Sequence, residues 1–203
     1  MTLTQLGQLI SVWILAVLLI GISFILNESF WVLFPISMAI LIIIAHKSKQ
    51  SYVNNRICIS QYLIGILSGV LLYSIFLIAY ILIKHTFPMF LPAVHDLYII
   101  VGPKVWWHFV LLLLIIPGEE LFWRGYIQRR VIQMYKRPIG IFVATALYAV
   151  AHISSGNAML VLAALFSGIV WGALYEWKKS ITVVILSHFT FNLFLLILYP
   201  LTF

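Results

Sequence analysis

Acidic side chains are scarce in this chain, with five Asp and Glu among 203 residues and charged residues of both signs at only 8%. A soluble domain needs several times that charge on its surface, so a water-soluble globule is excluded. Cysteine occurs once, at Cys58. A lone cysteine rules out an intramolecular disulfide and reads as a small apolar packing residue. Internal repeats, low-complexity tracts and long polar stretches are also missing, which leaves no length for a separate soluble domain. What fills the chain is hydrophobic, at 64%. Lipid is the solvent that accepts such a composition, because apolar helices near 20 residues long satisfy every backbone group internally. The expected fold is therefore all-α, a polytopic membrane helix bundle of about seven transmembrane helices, with the lipid bilayer as its constant partner.

The net charge of +7 would suggest nucleic acid in a soluble protein. Here it is topological, and no nucleic-acid partner is expected. Apolar runs mark candidate spans at Leu6–Leu26, Phe30–Ala45, Ile57–Ile83, Val105 to beyond Glu120, Ile139–Ile153, Ala158–Tyr175 and Ile181–Tyr199. The separators carry charges and breakers, including a Pro-containing stretch from Lys84 to Lys104. The first eight residues hold no Lys or Arg, and Leu6–Leu26 is longer than a signal-peptide core, so it reads as a retained span. A cytoplasmic N-terminus puts Lys47, Lys49, Arg56, Arg129, Arg130, Lys136, Arg137, Lys178 and Lys179 inside and leaves Lys84 and Lys104 outside. That distribution predicts a multi-pass protein of the cell membrane with its C-terminus external. Trp106, Trp107 and Trp177 then fall at the interfaces. The pairs Gly65/Gly69 and Gly168/Gly172 have the spacing of close helix contacts and read as packing within the bundle.

Three residues do not belong in lipid. Glu119, Glu120 and Arg124 interrupt the apolar run LLLLIIPGEELFWRG, and ionisable groups at that depth face a partner or a cavity. Glu120 and Arg124 are four apart and form a structural pair on one helical face. Glu119 points about 100° away and is not served by that arginine. Two more polar pairs follow at the same spacing, Tyr148 with His152 and His188 with Asn192. Counted from the ends of their spans at about 1.5 Å per residue, Glu119 lies roughly 20 Å from the outer end, His152 roughly 21 Å and His188 roughly 10 Å from the inner end. All three are expected to meet in the middle or cytoplasmic half of the bilayer. His46, His85 and His95 read as solvated boundary residues, and His108 as an interface residue three turns before Glu119.

The segments EELFWR (Glu119–Arg124), YAVAH (Tyr148–His152) and HFTFN (His188–Asn192) together resemble the CPBP family, the CAAX proteases and bacteriocin-processing enzymes. That family carries EExxxR, FxxxH and HxxxN in this order on successive membrane helices, and Tyr148 stands here where the family usually has Phe. On this resemblance residues 1–104 are N-terminal transmembrane helices without family signature, 105–199 are the catalytic helices, and 200–203 form a short tail. The resemblance implies an intramembrane endopeptidase acting on a membrane-associated peptide or protein substrate, of CAAX, bacteriocin-leader or pheromone type. Its site residues map to Glu119, His152, His188 and Asn192. In a metal-free scheme Glu119, helped by His152, takes a proton from water, and His188 with Asn192 stabilises the oxyanion. In the alternative, a zinc ion is held by Glu119, His152 and His188, with no HExxH spacing to support it. The metal-free scheme is favoured, so no cofactor is expected. A third possibility is a non-catalytic bacteriocin-immunity membrane protein that keeps these residues for structure.

Overall fold

The computed structural model describes residues 2–47, 58–102 and 106–202. The side chains of 100, 101 and 106–108 fall outside that description. The expectations for Lys49, Arg56, Ile57, Lys104 and Val105, and for the rings of Trp106, Trp107 and His108, therefore lie outside the described residues.

Every regular element among the described residues is a helix. Helix α1 (Leu3–Ile25) starts on a capping box, in which Thr2 and Gln5 exchange side-chain and backbone hydrogen bonds. The pair satisfies two of the donors that a helix start leaves open. A turn at Asn27–Ser29 reverses the chain into α2 (Phe30–Lys47). Next come α3 (Ile59–Thr86), the short α4 (Leu91–Val101) and α5 (Trp106–Phe122). The last continues without a break through a π-helical turn, Trp123–Gln128, into α6 (Arg129–Ile132). Then follow α7 (Arg137–Ala151), α8 (Ala158–Lys178) and α9 (Ile181–Asn192), which ends in a second π turn at Leu193–Leu198.

Among the described residues, six helices are long and apolar enough to cross a membrane: Leu3–Ile25, Asn27–Lys47, Ile59–Thr86, Arg137–Ser155, Ala158–Lys178 and Ile181–Leu198. The seventh expected span is the run from α5 through α6, whose uninterrupted apolar part is shortened by its own charges. The chain is a multi-pass membrane protein. Its outer surface is correspondingly apolar, with Leu67, Ile78, Phe142 and Leu162 all more than half exposed. One element departs from the sequence reading. The stretch from Lys84 to Lys104 was expected only to separate spans, yet it contains α4. With 11 residues α4 is too short to span, and its proline sits in the first turn, where the missing N–H costs nothing.

Among the described residues two apolar cores hold the bundle together. One joins α1 and α2 to α5–α8 through Ile20, Met38, Phe122 and Ala151. The other joins α3 to α8 and α9 through Leu72, Trp171, Val184 and Phe191. The helices before and after residue 104 thus share both cores. Glycines set the closest approaches. A Cβ on Gly69 would lie 2.4 Å from the carbonyl oxygen of Ser187, and one on Gly118 would lie 2.8 Å from the Cβ of Met38. Gly168 and Gly172 likewise meet Thr145 and Ile141, so both small-residue pairs pack within this chain.

These contacts also fix relative directions. Trp13 donates to the carbonyl of Leu147 while Gly21 meets Ser154, so α1 and α7 run parallel. Arg137 at the start of α7 pairs with Glu176 near the end of α8 at 3.7 Å, and Lys179 pairs with the same carboxylate. The described basic residues Lys47, Arg129, Arg130, Lys136, Arg137, Lys178 and Lys179 accordingly gather at one end of the bundle.

Candidate active site

Glu119 and Glu120 lie on the last turn of α5, just before the π turn. A single wide turn of this kind shifts the helical register and recurs at functional sites. Here it brings Arg124 and Gln128 inward, and both are buried. Gln128 fixes the turn to α8 by donating to the carbonyl of Gly172 at 3.0 Å. Gly118 permits the near approach of α2, so the two acids are clamped from both sides.

Glu120 is fully buried, and its Oε1 accepts from Arg124 at 3.2 Å. The expected pair is therefore present, but it is only part of a larger arrangement. The same Oε1 lies 2.7 Å from Nδ1 of His188, which comes 68 positions later in the chain. The second oxygen of Glu120 has no hydrogen-bond partner among the described residues. Arg124 lies between two rings, 4.8 Å from the centroid of Tyr148 and 5.3 Å from that of Trp171. Trp171 in turn stacks on the imidazole of His188, with centroids 3.8 Å apart and planes inclined by 24°. It also donates to Ser187 at 3.3 Å. His188 is thus held edge-on by a carboxylate and face-on by an indole.

Glu119 faces the other way. Its Oε1 accepts from the hydroxyl of Tyr148 at 3.3 Å and stands 3.9 Å from Nε2 of His152. Its Oε2 stands 3.8 Å from Nε2 of His188. The orientation of His152 follows from its other nitrogen, Nδ1, which lies 2.9 Å from the backbone carbonyl of Tyr148. A carbonyl only accepts, so Nδ1 carries the proton and Nε2 turns toward Glu119. Both imidazoles therefore present Nε2 to the two oxygens of one carboxylate. Asn192, one turn after His188 at the end of α9, is half-buried and lines the same cavity. The residues singled out from sequence are thus brought together, from α5, α7 and α9.

The zinc alternative requires Glu119, His152 and His188 to offer their donor atoms to one ion. At zinc ligand distances near 2.1 Å a tetrahedral set spaces neighbouring donors roughly 3.4 Å apart. The two nitrogens here stand 3.9 and 3.8 Å from different oxygens. Among the described residues no group of three or more His, Cys, Asp and Glu is placed to hold a metal ion. As placed, this donor set does not fit zinc.

A cavity of about 460 Å³ opens in front of the cluster. Glu119, Tyr148, His152, His188 and Asn192 form its polar end. The remaining wall is apolar and aromatic, with Phe24, Phe30, Tyr80, Tyr98, Met159 and Phe166 among its residues. Helix α4 closes one side and is tied down by three hydrogen bonds. Asn157 donates to the carbonyl of Ala93 at 2.6 Å, the Tyr98 hydroxyl donates to Leu195 at 3.2 Å, and Leu201 N–H donates to that hydroxyl at 2.8 Å. The polar residues were expected to meet in the middle or cytoplasmic half of the bilayer. The cavity in front of them extends away from the basic end, since its lining residue Ile83 lies 24 positions beyond Ile59, roughly 36 Å along α3. The reason is packing. Trp123, Arg124, Tyr126 and Gln128 fill the space on the basic side and are all buried.

Sequence reasoning missed Trp171, the contact between Glu120 and His188, and the role of α4. A buried Trp at the spacing of the Gly168/Gly172 pair was the available signal for the first. The other two depend on contacts between distant segments. Residues 101–194 match the family described as type II CAAX prenyl endopeptidase Rce1-like. No curated protein and no solved structure matches the chain.

Proposed function

We propose that this chain, whose residues 101–194 match the family described as type II CAAX prenyl endopeptidase Rce1-like, hydrolyses a peptide bond in a membrane-associated peptide or protein through a water molecule activated by Glu119. That family implies intramembrane endopeptidase activity, and the roles given to Glu119, His152, His188 and Asn192 are those the resemblance implies, supported by their placement. The single observation that carries them is the convergence of Tyr148, His152 and His188 on the two oxygens of Glu119 at the polar end of an apolar cavity.

Glu119 takes a proton from water, and the resulting hydroxide adds to the scissile carbonyl carbon. The negative charge then develops on the carbonyl oxygen, within reach of the Asn192 amide and of Nε2 of His188, which donates when the ring carries protons on both nitrogens, with Nδ1–H held by Glu120. Collapse of the tetrahedral intermediate breaks the C–N bond, and the proton held by Glu119 passes to the leaving amine. His152, with its proton on Nδ1, assists by turning the acceptor Nε2 toward the water beside Glu119. Glu120 and Trp171 hold His188 in place, and Arg124 balances the charge of Glu120. The apolar wall suits a substrate with a lipid-soluble flank.

Purified protein in detergent, given a labelled peptide with an apolar tail, tests this reading. Wild type should cut one bond, and Glu119→Gln should leave the peptide intact while melting at the same temperature. A non-catalytic immunity protein would keep its biological effect in Glu119→Gln. We also assign the basic end to the cytoplasm. In a Cys58→Ser background, a cysteine placed at Ser154 should react with an impermeant thiol reagent only from outside the cell. Reaction only from the cytoplasmic side would reverse the orientation.

A further inference from the structure

Tyr148 occupies the position where the family pattern has phenylalanine, and its hydroxyl meets the carboxylate assigned as the base. We propose that this hydroxyl is a positioning group for the reaction. It holds Oε1 of Glu119 against α7 and so leaves Oε2, the oxygen facing His188, to take the proton from water. This rests on the protease reading given above.

Tyr148 makes its contacts through three parts, backbone, ring and hydroxyl, and they separate cleanly. Its backbone carbonyl accepts from Nδ1 of His152 at 2.9 Å. Its ring meets the edge of that imidazole, with centroids 4.6 Å apart, and lies beneath the Arg124 guanidinium at 4.8 Å. Its hydroxyl donates to Glu119 at 3.3 Å. A phenylalanine would keep the first two and lose only the third. The hydroxyl thus adds something the phenylalanine pattern does without, and it adds it at the reacting carboxylate.

The geometry says which oxygen is affected. Oε1 already faces His152 at 3.9 Å, and Tyr148 approaches the same atom. Oε2 faces His188 at 3.8 Å, and Asn192 lines the same cavity. A carboxylate has two oxygens on one plane, so fixing one fixes the direction of the other. Tyr148 is nine-tenths or more buried and comes from α7, whereas Glu119 comes from α5. The bond therefore joins two helices and resists rotation of the Glu119 side chain, which no other hydrogen bond among the described residues holds. A base fixed in direction reaches the near-attack geometry without a search among rotamers.

The variant that tests this is Tyr148→Phe. Losing the contact that fixes the direction of the base should lower kcat roughly ten-fold or more, with KM within about two-fold, because the hydroxyl orients the base and does not hold the substrate. The melting temperature should stay close to wild type, since ring and carbonyl remain. An unchanged kcat overturns the proposal, as does a fall in kcat matched by a fall in melting temperature. A second readout is independent of turnover. Dicyclohexylcarbodiimide, an apolar carboxyl reagent, should modify Glu119 several-fold faster in Tyr148→Phe, as mapped by mass spectrometry, with Glu120 as the internal control. Equal rates at Glu119 in the two proteins overturn the positioning role even if no peptide substrate is cut. Faster modification with no cleavage by wild type would instead locate the failure in the protease reading.

Discussion

Glu120 is fully buried, with His188 at 2.7 Å and Arg124 at 3.2 Å, whereas Glu119 has no polar partner among the described residues closer than 3.3 Å and opens on a cavity. The two are adjacent in the chain and about 100° apart on the helix. One faces the π turn and α9, and the other faces α7 and open space. Short contacts to charged partners make Glu120 a fixed element of the scaffold. Longer contacts make Glu119 a group with room for water beside it. The same residue type thus takes two roles, set by which neighbours each helical face meets.

The sharpest test of this contrast is to neutralise each acid in turn. Glu119→Gln should lower turnover the most, because a positioned general base is worth about 10²–10⁴-fold. Its melting temperature in detergent should barely move. Glu120→Gln removes the partner of a buried arginine, and breaking such a pair costs about 3–5 kcal/mol. It should melt well below Glu119→Gln and also lose activity, since His188 loses the carboxylate that orients it. If the two variants melted together, the division of roles between the acids would be wrong.

Asn192 extends the comparison to the oxyanion side. Asn192→Ala should slow the chemical step by about 10²-fold, the typical effect of removing one oxyanion donor. Substrate binding should be nearly unchanged. A rise in KM with kcat preserved would move Asn192 from the oxyanion to substrate binding.

Much of this arrangement was legible before any coordinates. Apolar runs disclosed the spans, and the i,i+4 pairs Glu120/Arg124 and His188/Asn192 disclosed their shared faces, because both signals are local. The contact between Glu120 and His188 was not legible, as it joins residues 68 positions apart across two helices. Trp171 read as one more apolar residue of a span until its ring was found stacked on His188. Helix α4 carried too few residues to register as a span, and its role depends on Asn157 and Tyr98 meeting carbonyls from other segments. The direction of the cavity depended on which side chains fill the basic half, and spacing along one helix does not reveal that.

The smallest expected effect is the one that separates the two chemistries open to Glu119. Both imidazoles present Nε2 with Nδ1 already engaged, His152 by the carbonyl of Tyr148 and His188 by Glu120. Metal-binding histidines are oriented in the same way by their second nitrogen, so the zinc scheme makes a definite forecast on these residues. It requires one metal ion per chain, lost on chelation together with activity, restored on re-addition, and released by His152→Ala or His188→Ala. The Glu119 scheme requires no such response. The 3.8 and 3.9 Å separations, to different oxygens, leave Glu119 facing the two imidazoles without the shared focus a bound ion would need. Exhaustive chelation of the purified protein should therefore leave turnover unchanged, and elemental analysis should find no stoichiometric zinc. Activity that falls with chelator and returns with zinc would transfer the activation of water from Glu119 to a metal, while keeping the same residues around the bond that is cut.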